Sequence, residues 1–186
     1  MKFRTELLIP KESFELSYSS KLFFIGSCFS TTMYDQLKNR GFKYLSGNPF
    51  GILFNPISIA KSLNYTIHLK EFKNEDFFEN QGVFRHWDFG SQIFEKDLET
   101  TVDQLNKKIK IQYDFLKTAN VIFITLGTSW VYELIKSKKV VANCHKMKPL
   151  LFKKRLLKIN EINTELVLLI KNIQKINPQV HIVFTV

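Results

Sequence analysis

The chain has 186 residues, 45% of them hydrophobic and 24% charged, which is the composition of a folded globular protein rather than a disordered one. That length can bury a real core, and 18 Phe make a Phe-rich one the expectation. The formal net charge is +10, no apolar run approaches the ~20 residues that cross a bilayer, and two cysteines without a CxxC pair fit neither a disulfide framework nor a zinc site.

In chain order, Met1 to Glu6 lacks the apolar stretch of a secretory leader, which reads as a cytoplasmic protein with no membrane partner. Residues 14–18 read as a short leading arm. Leu22-Phe23-Phe24-Ile25 is a continuous apolar run closed by Gly26, the pattern of a strand buried on both faces. A helix is expected over residues 29–39, with Gly41 just past its end, and a second strand over 42–45. Residues 47–51 are dense in turn formers. Pro56 suits the first position of a helix carrying Ile57, Ala60, Leu63 and Ile67. Residues 73–90 are less regular, and 84–94 read as a hairpin or an active-site loop.

Leu98, Val102, Leu105, Ile109, Tyr113 and Leu116 recur at helical spacing. Residues 120–126 form a third apolar strand ended by Gly127. Residues 131–135 and 140–142 pair as a hairpin around Lys136 to Lys139. A long helix over 156–176 stops before Pro178, and residues 180–186 form a fourth strand. There is no internal repeat and no low-complexity linker, so one domain is expected. Strands alternating with helices imply an α/β fold, a three-layer doubly wound parallel sheet with right-handed crossovers. Sites in such sheets form at the carboxyl ends of strands. Gly26-Ser27, Gly127-Thr128 and the position after Val186 are such ends.

Charge is uneven. Residues 107–158 hold 13 Lys or Arg against Asp114 and Glu133. A basic face attracts nucleic acid, anionic lipid or an acidic substrate. Charge alone is weak evidence, and Lys108, Lys110, Lys117, Lys154 and Lys158 read better as solvated helix faces than as a nucleic-acid site.

Ser27 follows a strand and precedes a helix. Its hydroxyl is expected at the sheet rim and its amide at a helix N-terminus, a setting that favours an acyl-transfer nucleophile and its oxyanion. From the tripeptide alone, simple N-capping of the helix is the stronger reading. Cys28 is a rival nucleophile, but reads better as a small buried hydrophobe. Trp130 and Tyr132 read as core residues rather than pocket lining.

Gly26-Ser27-Cys28-Phe29-Ser30 resembles the motif that names the GSCFA family, relatives of the SGNH/GDSL hydrolases. Met1 to Glu6, Asn48-Pro49-Phe50-Gly51-Ile52-Leu53-Phe54-Asn55-Pro56, Thr125-Leu126-Gly127-Thr128-Ser129-Trp130-Val131-Tyr132 and Val141-Ala142-Asn143-Cys144-His145-Lys146 resemble that family's further blocks, in its order. The resemblance implies Ser27 as nucleophile and the Gly51 amide as an oxyanion donor. Gly127 opens the third block, where the SGNH pattern has an Asn two residues on. This chain has Ser129 there, preceded by Thr128, and either hydroxyl is a candidate donor. Asn143 and His145 are candidates for the missing donor and for the base, and His86 for a substrate contact. The resemblance also implies a catalytic His in a Ser-Pro-Val-Arg-His block after a strand like Val183 to Val186, so the chain reads as part of a longer protein.

The expectation is therefore a serine esterase or acyltransferase of SGNH type, acting on a small ester or acylated carbohydrate, with no metal and no organic cofactor. The alternatives are a non-catalytic binding module or inactive fragment and, behind them, a basic nucleic-acid-binding protein.

Overall fold

Four consecutive apolar residues with no polar face must be covered on both sides. Leu22, Phe23, Phe24 and Ile25 are at most 1% exposed, and they form β1 (Leu22–Gly26) in the middle of a parallel sheet. The computed structural model describes residues 14–186, and the Met1 to Glu6 block lies outside the described residues. The sheet runs β2 (Leu45–Gly47), β1, β5 (Val121–Thr125), β9 (His181–Thr185), all parallel. Phe23, Ile25, Ile122 and Ile124 face one core, shared with α2 (Pro56–Ile67), α3 (Leu98–Thr118) and α4 (Ile159–Ile176). Leu22, Phe24 and Val121 face the other way, toward Met33, Tyr34 and Leu37 of α1 (Cys28–Asn39). Helices on both faces make the three-layer α/β architecture. The order turns back between β1 and β5, which is where a doubly wound sheet opens its crevice.

The core is Phe-rich: Phe23, Phe24, Phe50, Phe72 and Phe89 are fully buried, and Phe24 stacks on Phe123 at 4.8 Å between centroids. Local signals set the helix ends. Asn55 caps α2 by accepting the Ser58 N–H at 2.9 Å, with Pro56 at the first position. Gly41, at φ +91°, leaves α1 through the left-handed region.

Two smaller sheets flank the rim. β3 (Phe78–Asn80) and β4 (Val83–Arg85) form a hairpin. β6 (Trp130–Leu134), β7 (Val140–Val141) and β8 (Phe152–Leu156) form an antiparallel sheet in the order β7-β6-β8. Arg155 of β8 ties that sheet to α4, bonding Glu133 at 2.6 Å and both carboxylate oxygens of Glu161 at 2.7 and 3.0 Å.

Four expectations are corrected. The second strand is Leu45–Gly47 rather than 42–45, because pairing begins at Leu22 with Leu45. The long helix starts at Ile159, because Phe152 to Leu156 pair with β6 instead. Trp130 and Tyr132 are not core residues; they are 49% and 42% exposed on the open face of β6. Cys28 is exposed rather than buried.

Gly26 is the tightest point of the sheet. It sits at φ +134°, and a Cβ there would lie 2.1 Å from the Thr125 carbonyl oxygen. Gly26→Ala is therefore expected to force β1 and β5 apart at the rim and to cost more than about 3 kcal/mol, measured as the change in urea unfolding free energy.

Candidate active site

The first turn of α1 starts where β1 ends, and Ser27 is the residue between them. It occupies the N-cap position with φ −68° and ψ 178°, yet its side chain makes no capping bond. Ser27 is 7% exposed, and its hydroxyl hydrogen-bonds to none of the described residues. A serine present only to cap would accept a helix amide N–H with its side-chain oxygen. This one leaves that oxygen free.

Two chain segments, around residues 48–54 and 127, hold Ser27 in place. Asn48, at φ +41°, is the central clamp. Its Oδ1 accepts the Gly26 N–H at 2.8 Å, its Nδ2 donates to Thr31 Oγ1 at 2.8 Å, and its own N–H bonds the Phe24 carbonyl at 2.8 Å. The Leu53 N–H bonds the Gly26 carbonyl at 2.9 Å, so the loop carrying Gly51 wraps this turn. From the second segment, Gly127 closes on Ser27: a Cβ on Gly127 would lie 3.2 Å from the Ser27 Cβ and 2.9 Å from Phe54 Cδ1. Beneath the rim, Ser30 and Thr185 hydroxyls both reach Thr125 Oγ1, at 2.8 and 2.9 Å, linking α1, β5 and β9. Exposed Phe29 of α1, with exposed Phe54 and Trp130 of these segments, offers apolar surface.

The residues named as oxyanion donors are placed as follows. The Ser27 N–H bonds the Thr125 carbonyl at 3.1 Å, and the Gly51 N–H closes a turn onto the Asn48 carbonyl at 2.9 Å. The Gly127 and Thr128 amides both bond the Phe54 carbonyl, at 2.8 and 3.1 Å. Thr128 Oγ1 accepts the Trp130 N–H at 3.1 Å, while the Ser129 hydroxyl bonds none of the described residues. Asn143 Oδ1 accepts the His145 N–H at 2.6 Å. The orphan amides at the start of α1 were not singled out from the sequence. Every helix start leaves such donors unmatched, and Ser27 does not cap these. Asn48 was also missed as an individual residue. The available signal was an Asn in a turn-rich block, a residue type that tolerates positive φ.

His86 and His145 form a group of their own. His145 is 2% exposed and its Nε2 bonds the His86 carbonyl at 3.0 Å, so Nε2 carries the proton and Nδ1 is a buried, unpartnered lone pair. Burial holds its pKa down at about 4, against the smaller upward pull of that carbonyl. The His86 Nδ1 accepts the Asp88 N–H at 3.1 Å, and burial likewise pushes His86 to about 4, against the charge of Asp88. Asp88 is itself held by Lys61 at 2.7 Å and the Tyr65 hydroxyl at 2.6 Å. His86 and Asp88 line a cleft of about 490 Å³ together with Trp87, Phe78, Tyr65 and Lys139. Neither histidine hydrogen-bonds to Ser27.

Both histidines have folded-state values near 4, below the 6.5 of the unfolded chain. The unfolded state therefore binds more protons between those values, and stability rises with pH across that window. Stability from these two groups is expected to be complete above pH 6.5 and lost as pH falls toward 4, by roughly 3 kcal/mol each. Urea unfolding midpoints across this window should fall steeply for the wild type. They should fall about half as steeply for His145→Gln, and equal slopes would contradict the assignment.

The sequence profile of the GSCFA family matches residues 21–186, which takes in every element from β1 to β9. No curated protein and no solved structure is significantly similar to the chain. With the Gly-Ser-Cys-Phe turn at the centre of the rim and the profile running over nearly the whole length, the chain belongs to the GSCFA family.

Proposed function

We propose that the protein is a serine esterase or acyltransferase of SGNH type, with Ser27 as its nucleophile. The observation that carries this reading is the Ser27 hydroxyl: nearly buried, placed at the switch point of the sheet, set at the start of a 12-residue helix, and bonded to none of the described residues. In the proposed reaction Ser27 Oγ attacks an ester carbonyl as a base removes its proton. The tetrahedral oxyanion forms beside the Cys28 and Phe29 amides at the start of α1, the Ser30 amide being taken by the Ser27 carbonyl, and there the helix dipole favours negative charge. Collapse expels the alcohol, and water or an acceptor hydroxyl then takes the acyl group from Ser27. Gly51 and Ser27 amides already have acceptors in the fold, so in this reading they act by shaping the turn, with the free Ser129 hydroxyl as a further donor.

The base is the component that the described hydrogen bonds leave open. His145 is neutral, as a base must be, but its ring is engaged with the His86 carbonyl. β9 ends at Thr185, whose hydroxyl bonds Thr125 beneath Ser27. A His-containing block following β9, as the family resemblance implies, would thus arrive at the rim. A small ester or acylated carbohydrate remains the proposed substrate class.

One observation favours a second reading: no histidine hydrogen-bonds Ser27 among the described residues, as in a binding module that keeps the rim without the chemistry. Serine-directed fluorophosphonate separates the two. The catalytic reading expects covalent labelling that maps to the peptide containing Ser27 and disappears in Ser27→Ala, with a fall of at least 1000-fold in p-nitrophenyl acetate turnover. An unlabelled wild type, or a label on another residue, would overturn it in favour of the binding module.

A further inference from the structure

In the antiparallel sheet β7-β6-β8, β6 starts at Trp130, three residues after Gly127, and ends five residues along in two adjoining turns. The first is closed by the Lys138 N–H to the Leu134 carbonyl at 2.7 Å. It is joined to the second by the Ile135 N–H, which bonds the Leu151 carbonyl at 3.0 Å. Each turn projects one aliphatic side chain into solvent: Ile135 is 58% exposed and Leu150 72%. In and next to these turns stand Lys136, Lys138, Lys148 and Lys153, all exposed, and no side chain among these four is ion-paired or hydrogen-bonded to a described residue. Three acids of this region are held by other cations: Glu133 and Glu161 are both on Arg155, and Asp76 is on Lys70.

We infer that this tip docks on the surface of an anionic lipid bilayer. The combination is what selects the partner. Lysines are attracted to any polyanion, but a nucleic acid offers no apolar medium for Ile135 and Leu150, and the ring nearest to them, Phe152, is half-buried against Trp87 and Tyr132 rather than open to a base. A bilayer takes both parts: acyl chains receive the two aliphatic side chains while acidic headgroups surround the lysine collar. Lysine also suits this role, since its long stem lies along apolar surface while the ammonium stays at the headgroups. This departs from the sequence-based expectation of no membrane partner, which rested on spanning segments. No helix among the described residues is long and apolar enough to cross a membrane, and a docking tip needs none. The inference is independent of the chemistry at Ser27.

Sedimentation of the full chain with phosphatidylcholine vesicles, with and without about a third phosphatidylserine, tests it. Binding is expected only to the anionic vesicles. Lys136→Glu, Lys138→Glu and Lys148→Glu should each weaken it by about fivefold or more, the factor that corresponds to ~1 kcal/mol per lysine. Ile135→Asp with Leu150→Asp should weaken it at least tenfold. Both residues are exposed, so unchanged circular dichroism melting is expected to accompany that loss. Equal binding to neutral and anionic vesicles would overturn the proposal. So would anionic binding that is insensitive to Ile135 and Leu150, or a poly(U) complex that depends on the lysines and competes with the vesicles.

Discussion

The contact on which the rest of the rim depends is the approach of the Gly26 backbone to the Thr125 carbonyl. At that distance no side chain fits on Gly26. The closeness lets the chain turn out of β1 at φ +134° and puts the Ser27 amide on Thr125 as its last sheet-like bond. The helix begins at once, and the serine is held at the junction with its hydroxyl outward from the backbone bonds. Asn48 then fixes the turn from the opposite side by bonding the Gly26 amide and the Thr31 hydroxyl. Gly127 completes the enclosure because it has no Cβ to press on Ser27. Three residues with small or turn-adapted backbones thus define one hydroxyl position.

Polar chemistry in this fold is divided between two neighbourhoods. Around Ser27 the groups are hydroxyls and backbone amides, and no ionised side chain among the described residues hydrogen-bonds to it. Around Asp88 the groups are titratable and interlocked: Lys61 and Tyr65 hold the carboxylate, Asp88 orients His86, and the His86 carbonyl orients His145. Burial keeps both imidazoles neutral, and the Asp88 charge raises the Tyr65 hydroxyl above its ordinary range after burial has done most of that work. The second neighbourhood is a rigid, charge-compensated anchor beneath a cleft. The first has a Ser27 oxygen bonded to none of the described residues.

Much of the fold was legible because its signals are local. The apolar run before Gly26, the Asn55-Pro56 start of α2 and the spacing from Leu98 to Leu116 each act within a few residues, and each element formed where those signals lie. β8 was not legible. Phe152-Lys153-Lys154-Arg155-Leu156 has no strong strand pattern, and what makes it a strand is pairing with β6 and the grip of Arg155 on Glu133 and Glu161. At the site, the strand-turn-helix setting of Ser27 and the glycine at 127 could be read from sequence. The occupied amides of Ser27 and Gly51 could not, since their acceptors lie on other segments or depend on the positive φ of Asn48. His145 was legible as unusual, but its partner, a backbone carbonyl, has no sequence signature.

The register that pairs Gly26 with Thr125 also governs when the rim comes into being. The two strands lie about a hundred residues apart in the chain, and non-local pairings of that kind are slow to close because the loop entropy is met before the contacts form. The Gly127 and Thr128 amides reach the Phe54 carbonyl, and Gly127 reaches Ser27, only across a similar stretch of chain. The surroundings of Ser27 are therefore a product of complete folding rather than of any early subassembly, and a partly folded chain has Ser27 without the rim around it.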